Sequence, residues 1–134
     1  MFTFMFAGFI ILHGLVHLLY VGQAQGIFEL RPGMRWPDGA WLLSRLFGDR
    51  ATRWVATITL ILVALAFVAG GLGLIFSQAW WYSVTLGAAV LSSVVIILSW
   101  DGKLQKLDDH GGVGLLINML IMVLILSVEW LSVG

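Results

Sequence analysis

The chain has 134 residues, of which 60% are hydrophobic and 10% charged, and its formal net charge at pH 7 is zero. Soluble globular domains carry about 25% charged residues, so this composition predicts an integral membrane protein; the zero net charge gives no footprint for nucleic acid or a polyanionic partner. Cysteine is absent, which excludes disulfides, thiolate metal sites and thiol redox chemistry.

A helix needs roughly 20 apolar residues to cross hydrocarbon. No Asp, Glu, Lys or Arg precedes Glu29, leaving room for a first span over about residues 2–21. A cleavable signal peptide is the competing identity of this segment. It lacks a basic n-region, and the small residues near Gln23 to Gly26 make a poor cleavage site.

The loop that follows, about residues 22–53, is too long for a turn. Within it, PDGAWLLSRLFGDRATRW reads as a short amphipathic helix started by Pro37 and Asp38, apolar at Trp41, Leu42, Leu46 and Phe47. Such a segment lies along the inner membrane surface as a connector capping the bundle, or acts as a lid over a site.

The uncharged run from Trp54 to Trp100 would be roughly 70 Å long as one helix, so it must fold back. Gly70, Gly71 and Gly73, followed by Ser77 and Gln78, mark the break. Trp80, Trp81 and Tyr82 then form an interfacial aromatic belt at the start of the third helix. The predicted spans are about 54–75, 80–100 and, after a loop over 101–111, 112–130. The fold class is all-α integral membrane: a four-helix transmembrane bundle, one domain over residues 1–134, with a short amphipathic helix in the first loop.

All seven basic residues fall in the two loops: Arg31, Arg35, Arg45, Arg50 and Arg53 in the first, Lys103 and Lys106 in the second. Lys and Arg stay inside, which puts both loops in the cytoplasm and both termini outside a cytoplasmic membrane.

Two of the three histidines stand in HGLVHLL, residues 13–19. On a helix, His13 and His17 share a face one turn apart. Counting about 1.5 Å per residue from the cytoplasmic ends, His17 lies about 6 to 9 Å deep with His13 a turn deeper. Ser92 and Ser93 fall about 10 to 12 Å deep and Asn118 about 9 Å. A polar layer of His13, His17, Ser92, Ser93 and Asn118, with Asp101 at its rim, is therefore available if these faces turn inward. Unpaired polar groups are costly in hydrocarbon, which favours inward faces.

Three roles stay open for the histidine pair: hydrogen-bonded packing between helices, ligand binding or protonation, and metal ligation. Ser92 and Ser93 can also satisfy themselves on their own helix. A shared zinc or iron needs at least a third ligand, and no acid lies at the depth of the pair. Asp101, Asp108, Asp109 and His110 cluster at the cytoplasmic surface, so a rim site would use His17 alone. The other spans have no histidine for bis-histidine haem, and membrane di-iron chemistry needs more histidines than the chain contains. Gly8, Gly14, Gly87, Gly112 and Gly114 are the small residues that let helices approach closely.

FIILHGLVHLL, the WW opening helix three, LSSVVIILSWDGK closing it and GLLIN in helix four resemble a family of small four-helix bacterial membrane proteins. Its pattern is a His-Gly-x-x-His first helix, a Trp, Asp and Lys cluster after the third, and a Gly and Asn in the fourth. His13, His17, Trp100, Asp101, Lys103, Gly114 and Asn118 match. The longer first loop and the LQKLDDHGG insertion depart from it. The resemblance implies the architecture and a shared polar layer, and carries no activity with it.

Two functions follow as expectations. In the first, the protein is an accessory subunit or a binder of a small hydrophobic molecule, oriented by the polar layer, in an oligomer or a larger membrane complex. In the second, it is a membrane enzyme on a lipid-like substrate, with His13 or His17 as acid/base or metal ligand and Asp101 assisting. An accessory subunit exposes an apolar, aromatic-rich face to its partner; a binder or enzyme encloses a cavity next to His13 and His17.

Overall fold

The computed structural model describes residues 1–29, 36–100 and 113–133. Among the described residues the chain is wholly helical, with α1 over Phe2–Ala24, α2 over Leu43–Ile75, α3 over Trp81–Ser99 and α4 over Val113–Val133. The first three are long and apolar enough to cross a membrane, and α4 contributes the apolar stretch Gly114–Ser127.

Helix ends follow local chemistry. After α1, Gly26 takes a φ of 71°, and the amides of Gly26 and Ile27 bond back to the carbonyls of Gln23 and Gly22. This is the Schellman arrangement, in which a left-handed residue lets two orphan carbonyls be satisfied. The same pair of bonds ends α2, from Ser77 to Leu74 and from Gln78 to Gly73, but the left-handed residue is Ser77, with a φ of 56°.

The chain break thus falls at Ser77, in the later part of the expected segment, and α2 ends at Ile75 as expected, but Gly70, Gly71 and Gly73 lie buried inside α2. Their work is packing. A Cβ on Gly71 would lie 3.0 Å from the Ala7 carbonyl oxygen, and one on Gly70 would collide with Thr85. In a helix held between two neighbours, small residues buy close backbone approach, and the hydrogen-bond ladder carries through them.

Gly14 meets Ala64 and Phe67 while Gly71 meets Ala7, so α1 and α2 run antiparallel. Gly70 beside Thr85 and Gly73 beside Trp80 give the same sense for α2 and α3. Ser92 beside Asn118 and Ile96 beside Gly114 give it for α3 and α4. Consecutive helices pack on each other in this up-and-down order, as short connections dictate.

The first connector differs from expectation. Residues 36–39 form turns and the helical turn begins at Leu43, not at Pro37. Asp38 does not cap a helix; its carboxylate pairs with the Arg53 guanidinium, with Nε donating at 2.6 Å and Nη2 to the second oxygen. The Gly39 amide donates to Asp49 at 3.0 Å. Gly48, at φ 85°, interrupts the helical dihedrals and separates one turn, Leu43 to Phe47, from the rest of α2. The connector is stapled to α3 as well: the Trp41 amide donates to the Trp100 carbonyl and the Trp41 indole N–H to that of Ile97, both at 2.7 Å. These bonds satisfy carbonyls that a helix C-terminus leaves open.

Polarity is inverted relative to a water-soluble bundle. Leu12, Leu65, Leu116 and Val123 are exposed, whereas His13, His17, Thr52, Thr57, Thr85, Ser92, Ser99 and Asn118 are buried. An apolar exterior over most of the helix surface is compatible with a membrane protein. Inside, one apolar cluster gathers Ile10, Val63, Phe67, Ala89, Ile121 and Ile125. A second, toward the arginine-bearing end, gathers Ala24, Trp36, Leu60, Val95 and Ile96. On α1, α3 and α4 the buried polar residues His13, His17, Ser92 and Asn118 fall between the two.

Candidate functional site

Each residue of this polar layer sits where its helix turns inward. On α1, His13 and His17 share the face that carries Ile10 and Gly14, all buried. The two imidazoles meet edge to face, centroids 4.8 Å apart, and both rest on the buried Phe67 ring of α2, at 5.0 and 5.4 Å. Gly14 makes this approach feasible, since a Cβ there would lie 2.6 Å from the Phe67 Cβ and 3.1 Å from the Ala64 carbonyl oxygen.

The hydrogen bonds have a direction that donor and acceptor chemistry fixes. The carbonyl of His13 can only accept, so His17 Nδ1–H donates to it, at 2.8 Å. The Asn118 amide donates through Nδ2 to Ser92 Oγ at 2.9 Å, and its Oδ1 accepts from His13 Nε2–H at 2.6 Å. In a neutral His17 the remaining nitrogen, Nε2, accepts, and Ser92 Oγ–H donates to it at 2.6 Å. The chain therefore runs from His13 through Asn118 and Ser92 to His17 and back to the backbone of His13. Neutral rings satisfy every one of these bonds, with His13 protonated on Nε2 and His17 on Nδ1.

Of the residues expected in this layer, the structure brings together His13, His17, Ser92 and Asn118. Ser93 stands apart: its hydroxyl donates to the Ala89 carbonyl of its own helix at 2.7 Å, the self-satisfaction open to a helical serine. Asp101 lies outside the described residues, as do Lys103, Lys106, Asp108, Asp109 and His110. Among the described residues no group of three or more His, Asp or Glu is placed to hold a metal ion. Both nitrogens of His17 and one of His13 are already committed, so a metal held by the pair would have to displace these bonds.

A cavity of about 280 Å³ opens beside the two histidines, between α1 and α4. Leu12 and Val16 of α1 and Gly114 and Ile117 of α4 form its sides, with Leu60 and Ile96 beneath. It exists because α1 and α4, the first and last helices of the order, do not pack closely, and because Gly114 brings no side chain to fill the gap. Leu12 is 65% and Val16 46% exposed, so the mouth opens on the apolar flank of the bundle. A larger depression of about 630 Å³ at the arginine-bearing end, lined by Gln23, Gln25, Glu29, Arg50 and Arg53, is polar and away from the histidines.

The apolar lining escaped the sequence reading, although a signal was present. Phe9, Leu12, Val16 and Tyr20 recur at helical spacing beside His13 and His17, and all four line the cavity. That stripe is indistinguishable by spacing from an ordinary lipid-facing one. No protein-family model, curated protein or solved structure matches the chain.

Proposed function

We propose that the chain is a four-span integral membrane protein that binds a small hydrophobic molecule in the α1/α4 cavity, its polar end oriented by the layer of His13, His17, Ser92 and Asn118. The observation that carries this reading is the cavity itself: a largely apolar recess with two histidines in its wall, the usual composition of a small-molecule pocket. Its mouth on the apolar flank suits a molecule that arrives through the bilayer. The arginines of the first loop put their end of the bundle on the cytoplasmic side of an inner membrane, with both termini outside. Membership of the small bacterial membrane family it resembles belongs to the same proposal. Acid/base catalysis has less support at His17, because neither of its nitrogens is open to a substrate. An accessory role in a larger complex is the reading that an empty cavity would favour.

Native mass spectrometry of the gently extracted protein tests the reading. Wild type is expected to carry an apolar molecule that the His13→Ala, His17→Ala double variant loses. Gly114→Leu, which fills the recess while leaving all four residues of the polar layer in place, is expected to lose it too. A clean apo mass for wild type, or an occupant that survives both sets of substitutions, rejects the proposal.

A further inference from the structure

The hydrogen-bond pattern of the layer restricts what the cavity can hold. His17 has both nitrogens engaged, and Ser92 and Asn118 are bonded to the histidines and to each other. Tyr20, also polar and in the lining, is itself engaged. His13 donates from Nε2 to Asn118 Oδ1, so in the neutral ring Nδ1 carries a lone pair and no hydrogen. That nitrogen has no partner among the described residues. It is not one of the fully buried side-chain polar atoms left without a partner among the described residues, which are Trp36 Nε1 and Ser99 Oγ. His13 itself lines the cavity.

From this pattern we infer that the occupant is a neutral amphiphile whose head carries a hydrogen-bond donor, an O–H or N–H, placed on His13 Nδ1. The inference rests on the proposed binding role and narrows it to a ligand class. An acceptor-only head, such as an ether or ester, would face a lone pair with a lone pair. A charged head would enter a recess with no Asp, Glu, Lys or Arg among the described residues of its lining, where an unpaired charge is costly. Size agrees with a compact head: about 150 Å³ holds benzene, so about 280 Å³ takes a ring-sized head and a few carbons. A longer tail would leave past Leu12 and Val16 into lipid.

The test compares 4-hexylphenol with 4-hexylanisole, which share ring and tail and differ in the donor. Binding to the full chain in micelles is measured by titration, corrected for micelle partition, together with the ¹⁵N resonance of His13 Nδ1. The phenol is expected to bind at least tenfold tighter, to shift that resonance where the anisole does not, and to lose its binding in Gly114→Leu. Equal affinity for both probes, lost in Gly114→Leu, overturns the donor requirement and leaves the binding role standing. Failure of both probes to bind in the cavity overturns the inference, and the mass spectrum of the native protein then decides the binding role separately.

Discussion

His13 Nε2 on α1 lies 2.6 Å from Asn118 Oδ1 on α4, a bond between residues 105 apart in the chain. It joins the two helices that are otherwise loosely packed, at the level where the cavity separates them. The bundle is thus closed by a polar bond where it lacks apolar contact.

Asn118→Leu removes the acceptor for His13 and the donor to Ser92 in one step. Stranding buried polar groups costs about 1 to 3 kcal/mol each in general, while interhelical bonds in membranes average about 0.6. The variant is therefore expected to lose about 1 to 2 kcal/mol. Ser93→Ala, whose hydroxyl serves only its own helix, is expected to change little. Equilibrium unfolding in mixed micelles compares the two, and equal losses would deny the layer a structural share.

Gly14→Ala places a methyl group against the Phe67 Cβ and the Ala64 carbonyl, both on a helix that cannot retreat without opening the core. Overpacking of this kind costs about 1 to 3 kcal/mol. Gly8→Ala is the control: nothing stands within 4 Å of a Cβ there. Thermal unfolding should separate the two variants, and a Gly14→Ala protein as stable as wild type would refute the close contact.

Ser77→Gly should stabilise the α2 to α3 turn. Ser77 is exposed and its φ of 56° is a conformation that costs L-residues about 1 to 2 kcal/mol. Glycine relieves that cost but loses more chain entropy on folding, for a net gain of about 0.5 to 1 kcal/mol. A lower melting temperature for the variant would contradict the left-handed assignment.

Trp41→Phe keeps an aromatic ring at the position and deletes the indole N–H that reaches the Ile97 carbonyl. The bond is exposed to solvent, so the loss is expected at about 0.5 to 1 kcal/mol. Its signature is local: amide exchange should quicken at the end of α3 and in the connector, and leave α1 unchanged. Uniform acceleration would mean that the staple supports the whole bundle.

The sequence by itself determined the number of long apolar helices and, to within a few residues, where α1, α3 and α4 lie, because hydrocarbon-length uncharged runs admit few other structures. It also placed His13, His17, Ser92 and Asn118 at one level, since depth along a helix is arithmetic. It misplaced the glycines of α2, whose low helix propensity reads as a break until two neighbouring backbones are known to press against them. It also gave Pro37 and Asp38 a helix start, because nothing local says that Arg53 will take the Asp38 carboxylate. Which way each face turns, which nitrogen of each histidine is left with a lone pair, and the gap between α1 and α4 were decided by the tertiary structure alone. Those depend on how four separate helices rotate and lean against one another, and no spacing within one helix encodes that.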